Sequence, residues 1–217
     1  MGKLGKIVLA VSLVFNALGL IAVVMYVSHV GPRTVAEQAG IVEPRRPAFQ
    51  TYADERFNDL PGADILIIGD SLVEQGRWSE LLDRPVANRG MYGAQTAEIT
   101  SWASKIKEET RTVVVWAGTN DAPGHDSFAN DYDRLLSTIE AATDARIIAI
   151  TAPPTTLLDV SSVNAIIKSV SAKHGATVLD VTEIFQNGNL HALDGLHLNG
   201  AGYIQVSALL QREIETE

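Results

Sequence analysis

The feature of this chain that most restricts its fold is a regular alternation of short apolar runs with longer amphipathic ones. Runs of strand length occur at Ile65–Ile68, near Val86, at Thr112–Ala117, at Arg146–Ala152 and at Thr177–Val181. They are continuously apolar and often β-branched, as strands are when both of their faces are covered. Stretches of helical character follow at Trp78–Leu82, Thr96–Ile106, Phe128–Ala142, Ser161–His174 and Gly200–Ile214. Parallel strands need crossovers, and right-handed crossovers put helices on both faces of one sheet. The predicted fold is therefore α/β, a three-layer α/β/α sandwich.

The N-terminus follows a different rule. From Ile7 to Val30 there are 24 residues without a charge. As a helix they span ~36 Å, enough to cross the hydrocarbon core of a bilayer with some tilt. A cleaved signal peptide is the competing reading, because Lys3 and Lys6 make a basic start. Its apolar core is usually shorter, about 7–15 residues, and Tyr26-Val27-Ser28-His29-Val30 offers no small-x-small cleavage site. We therefore read residues 1–30 as an uncleaved membrane anchor. Residues 31–48, with Pro32, Pro44 and Pro47, read as a linker, and 49–217 as the globular domain. Phe49, Tyr52, Phe57 and Leu60 recur near helical spacing and predict a short helix opening that domain. The basic residues on the N-terminal side favour that end inside and the domain outside the membrane.

Charge and cysteine usage exclude several functions. Beyond residue 30 there are 26 acidic and 15 basic residues, a formal charge of −11. A domain this acidic is unsuited to gripping nucleic acid. With no cysteine, disulfides, thiol catalysis and cysteine–zinc sites are excluded.

The candidate site follows from counting. Ligands of open parallel sheets bind outside the carboxyl ends of the strands. Ser71 follows the first predicted strand, Gly90 the second and Asn120 the third, so all three reach that edge. A serine hydroxyl is a weak nucleophile and needs a base beside it. His197 is the candidate base, and Asp194 precedes it by three residues. On a helical turn those two side chains share a face, so the carboxylate can hold the imidazole and stabilise its charged form. The oxyanion formed on attack needs fixed donors, for which Gly90 N–H, the Asn120 amide and Ser71 N–H are the candidates.

His191-x-x-Asp194-x-x-His197 has the look of metal-ligand spacing, but no third ligand stands nearby, so neither metal nor organic cofactor is expected. His191 is expected at the cleft rim or exposed, and His125 and His174 at the surface or in loops. Asp121 is expected to be a structural hydrogen-bonding group, and Asp180 to pin a loop. A Gly-x-Ser-x-Gly elbow is absent, because Val73 stands where it needs glycine.

Four segments resemble, in order, the sequence blocks of the SGNH/GDSL hydrolase family. They are Gly69-Asp70-Ser71-Leu72, Asn88-Arg89-Gly90 with Gly93, Gly118-Thr119-Asn120-Asp121, and Asp194-Gly195-Leu196-His197. The resemblance covers residues 65 to about 205. It implies a five-stranded parallel sheet of flavodoxin-like order and a Ser71–His197–Asp194 triad. It also implies an oxyanion hole from Ser71, Gly90 and Asn120. The expectation is a membrane-anchored, extracytoplasmic serine esterase acting on small-acyl esters of a glycan or lysolipid. The alternatives are an O-acyltransferase using the same triad and a non-catalytic binding module.

Overall fold

The computed structural model describes residues 2–30, 32, 35–36, 39–42, 60–122, 127–186 and 188–216. Most of the linker expected over 31–48, the opening helix of Phe49, Tyr52 and Phe57, and His125 lie outside the described residues. By its contacts the chain divides into two units, Met1–Pro47 and Ala48–Glu217.

The first unit holds helix α1, Lys3–Val30. Apolar side chains from Leu4 to Tyr26 are exposed, and its most apolar 18-residue window has a mean hydropathy of 2.7. It is long and apolar enough to cross a membrane, which is also true of some signal sequences.

The second unit is the α/β/α sandwich. Its strands are β1 Ile65–Gly69, β2 Val86–Gly90, β3 Thr112–Trp116, β4 Arg146–Ile150 and β5 Thr177–Leu179. They form one parallel sheet in the order β2-β1-β3-β4-β5. The helices are α2 Ser71–Glu74, α3 Trp78–Leu81, α4 Thr96–Ala103, α5 Phe128–Ala142, α6 Ser161–Lys173, α7 Thr182–Gln186 and α8 Gly200–Ile214, with a 3-10 turn at Thr119–Asp121.

Side chains of a strand alternate between faces, and here both faces are covered. Leu66 and Ile68 of β1, with Val113 and Val115 of β3, pack against Ile99 and Trp102 of α4, Leu135 of α5 and Ile167 of α6. Ile65 and Ile67, with Val114 and Trp116, pack against Leu72 of α2, Trp78 of α3, Phe185 of α7 and Leu210 of α8. Each fully buried Leu or Ile contributes about 1.5–3 kcal/mol, which is why the continuous apolar runs read correctly as strands.

Several predicted elements end a residue or more early, and two show why. β5 stops at Leu179 because Asp180 turns aside. Its Oδ1 accepts from Thr182 N–H (2.9 Å) and Thr151 Oγ (3.2 Å), and its Oδ2 pairs with Lys168 (2.5 Å). This is the loop-pinning role expected of Asp180. α4 stops at Ala103, where Lys105 N–H turns back to Trp102 O (2.9 Å). His174, expected at the surface or in a loop, lies in the turn that ends α6, but its side chain is only 9% exposed, held between Glu140 (3.0 Å) and Asp133 (3.1 Å). Those two carboxylates belong to α5, so His174 ties the end of α6 to α5 through contacts that its own neighbours in sequence do not reveal.

Candidate active site

Ser71 opens the four-residue helix α2, and a single residue, Asp70, joins it to β1. A helix this short lacks internal hydrogen bonds for most of its backbone groups, so its position is set by outside partners. Asp70 caps it, Oδ1 accepting Leu72 N–H at 2.9 Å. At the other end Asn88 Nδ2 donates to Val73 O (2.9 Å) and Gly76 O (3.1 Å). Trp78 Nε1–H donates to Val73 O (2.8 Å), and the Tyr203 hydroxyl of α8 donates to Leu72 O (3.0 Å). Side chains from β2, α3 and α8, together with the linking Asp70, thus hold the backbone that carries Ser71.

Asn88 was quoted in the sequence only as part of a block, and its clamping role was missed. The usable signal is an asparagine inside a strand, where that residue is depleted.

The last loop brings the imidazole in. The His191–Leu198 bridge closes it, with Ala192 N–H donating to His197 O (2.7 Å). Asp194 and His197 meet, but not on the helical turn expected. Gly195 at φ +70 reverses the chain, and Asp194 Oδ1 accepts the N–H groups of Leu196 and His197, both at 3.0 Å. A left-handed residue favours glycine, and the carboxylate locks the turn from inside.

Asp194 Oδ2 lies 2.7 Å from His197 Nδ1, and His197 Nε2 lies 3.0 Å from Ser71 Oγ. The hydrogen bond to His197 and the two N–H donors hold the Asp194 carboxyl down to about 2. With Nδ1–H given to that carboxylate, Nε2 presents the lone pair that accepts the Ser71 hydroxyl. The arrangement can deprotonate a hydroxyl and return the proton to a leaving group.

The expected oxyanion donors separate. Ser71 N–H has no hydrogen-bond partner among the described residues. Asn120 sits in the 3-10 turn after β3. Its Nδ2 donates one hydrogen to Ala94 O (2.9 Å), which orients the amide and leaves the second hydrogen. Gly90 ends β2 opposite Gly69, and its N–H donates to Asn88 Oδ1 (2.9 Å). A Cβ there would fall 2.1 Å from Glu74 N, so glycine at 90 lets α2 cross the end of β2. Gly93, three residues on, has φ +72, open space around its Cα, and an N–H without a partner among the described residues.

Asp121 takes the structural part expected of it, accepting from Thr96 N–H (3.2 Å) and Thr96 Oγ (3.0 Å). His191 is half-buried, its ring tilts against Phe185 (5.0 Å), and its Nε2 is buried with no hydrogen-bond partner among the described residues. Burial lowers its pKa. Among the described residues no group of three or more His, Asp or Glu side chains is placed to hold a metal ion.

Asp70 is fully buried, and its Oδ2 has no partner among the described residues. Burial, reinforced by the nearby Asp121, pushes its pKa up to about 7. The folded state therefore keeps a proton that the unfolded chain has released above about pH 4. Stability must fall as pH rises through this window, reaching its full penalty above pH 7. Asp70→Asn retains the capping oxygen and removes the charge. Its Tm is expected to exceed the parent's at pH 8, with the gap closing near pH 4. Melting curves at the two pH values check this; a gap of equal size at both would sink it.

A family model, described as the GDSL-like lipase/acylhydrolase family, matches residues 67–204. No curated protein sequence matches the chain. Among solved structures, a lipase/acylhydrolase from Enterococcus faecalis is similar at a TM-score of 0.62 and 22% identity, covering 69% of this chain and 94% of that one. A catalytic mutant of an acetylxylan esterase from Geobacillus stearothermophilus gives 0.60 at 16% identity, covering 73% and 97%. The catalytic domain of a peptidoglycan O-acetyltransferase from Streptococcus pneumoniae gives 0.51 at 15% identity, covering 71% and 94%. At these identities the likeness carries the fold.

Proposed function

The chain belongs to the GDSL-like lipase/acylhydrolase family and is an ester hydrolase; we propose that it cleaves small-acyl carboxylic esters through an acyl-enzyme on Ser71. The observation that carries this reading is the 3.0 Å approach of His197 Nε2 to Ser71 Oγ, from residues 126 apart in sequence.

Ser71 Oγ attacks the acyl carbonyl while His197 Nε2 takes its proton. Asp194 stabilises the imidazolium through Nδ1–H. The tetrahedral oxyanion is held by Ser71 N–H and the second hydrogen of the Asn120 amide. Gly93 supplies the third donor in place of Gly90, whose N–H is already given to Asn88. Collapse breaks the ester C–O bond, and the alcohol leaves with the proton from His197. Water, deprotonated by His197, then attacks the acyl-enzyme and releases the carboxylic acid.

A small acyl group is favoured because the connections beside the site are short. Asp70 alone joins β1 to α2, and five residues, Met91–Gln95, join β2 to α4. Helix α1 acts as an uncleaved anchor with the hydrolase unit outside the membrane. The alcohol part of the ester belongs to a cell-envelope glycan or a lysolipid.

The intact chain recovered from membranes is the material for the test, with nitrophenyl esters of increasing chain length as substrates. Activity is expected to be highest from acetyl to butyryl, with Ser71 labelled by a fluorophosphonate. A maximum on long-chain esters overturns the small-acyl reading, and a chain mass lacking residues 1–30 overturns the anchor. Acetyl recovered on an added sugar in excess of free acetate would reassign the enzyme as a transferase.

A further inference from the structure

The general acid fixes where the leaving group goes. His197 Nε2 must reach the departing alcohol oxygen at hydrogen-bond distance, about 3 Å, so the alcohol lies alongside the imidazole. Tyr92 is the side chain stacked on that imidazole, with ring centroids 5.9 Å apart and planes within 19°. The residue remains 48% exposed.

Tyr92 is also held in place. It lies in the tight turn after β2, followed by Gly93 at φ +72. The ring is thus set by a short turn and by its stack on His197, and it flanks the leaving-group side of the site.

We propose that Tyr92 is the platform of a leaving-group subsite that takes a neutral sugar ring, making the substrate an acylated carbohydrate. This rests on the ester-hydrolase reading above and names its alcohol. A flat aromatic face gains most from a rigid ring whose C–H groups lie in one plane, and little from a flexible alcohol chain. The charge around the site points the same way. Asp121 lies near the nucleophile's strand end and Asp194 behind the base, in a domain of formal charge −11. A phosphate-bearing alcohol such as a lysophospholipid headgroup meets repulsion there, whereas an uncharged sugar does not.

The test compares an acetylated methyl glycoside with ethyl acetate, which carries the same acyl group and no ring. The full-length chain, Tyr92→Ala, Tyr92→Leu and Tyr92→Phe are assayed for kcat and KM on both. The preference for the glycoside over ethyl acetate, as a ratio of kcat/KM, is expected to fall about tenfold in Tyr92→Ala and Tyr92→Leu, mainly through KM. That is the size of one stacked-ring contact. Tyr92→Phe, which keeps the face, should retain the ratio within about twofold.

Equal losses on both esters would mean that Tyr92 acts only through His197, and the subsite would be withdrawn. An unchanged ratio in Tyr92→Leu, whose bulk supports folding, would also overturn it. Stronger dependence on Tyr92 for a short-chain lysophospholipid than for the glycoside would replace the sugar by a lipid. Failure of the unmodified chain on ethyl acetate and nitrophenyl acetate alike would instead remove the hydrolase reading itself, leaving the two failures distinguishable.

Discussion

Ser71→Ala is expected to reduce kcat by on the order of 10⁶ while leaving the fold intact. The hydroxyl is the group that bonds to the acyl carbon, and no other hydroxyl approaches His197 Nε2 among the described hydrogen bonds. The backbone of α2 is held by Asp70, Asn88, Trp78 and Tyr203, none of which bonds the Ser71 side chain. The melting temperature should therefore barely move. If Ser71 and His197 act as one unit, removing both costs little more than removing either, because each single change already abolishes nucleophile activation. Steady-state rates of Ser71→Ala, His197→Ala and the double variant decide this. Losses that multiply would show two independent contributions and break the proposed pair.

Asn120→Ala is expected to lower kcat by roughly 10²–10³ with a smaller change in KM. The oxyanion exists only during the reaction, so a donor aimed at it stabilises the transition state more than the bound ester. The amide is positioned for this by its bond to Ala94 O, and the Thr119–Asp121 turn that carries it is fixed by Asp121 on Thr96. Truncation leaves the Ala94 carbonyl without that donor, a cost of ~1 kcal/mol on stability. The expected signature is a large fall in kcat against a small fall in Tm. An unchanged kcat would remove Asn120 from the oxyanion hole.

Much of the molecule was legible in the sequence. The continuous apolar runs at Ile65–Ile68 and Thr112–Ala117 announced strands covered on both faces, and both faces are covered. Ser71, Asn120 and the start of the last loop reach the carboxyl edge because each follows its own strand or turn, which counting can tell. The roles of Asp121 and Asp180 were also readable, since a carboxylate beside a strand end has few structural uses.

The misses share a cause. Asn88 was overlooked because its partners, Val73 and Gly76, lie 15 and 12 residues away across the β1–β2 pairing. Gly90 was credited with a free N–H that Asn88 takes, and Tyr92 gave no sign of stacking on a residue more than a hundred positions later. The Asp194–His197 pair was right in its partners and wrong in its geometry, a glycine turn instead of a helical one.

The sequence alone determined the layers, the sheet and the edge on which the reactive groups lie, because periodicity and glycine placement act over a few neighbouring residues. Only the tertiary structure decided which N–H groups remain unspent, what clamps the nucleophile's helix and which ring stacks on the imidazole. Those outcomes depend on side-chain contacts between distant segments that the strand order β2-β1-β3-β4-β5 brings together, and no local pattern encodes those contacts.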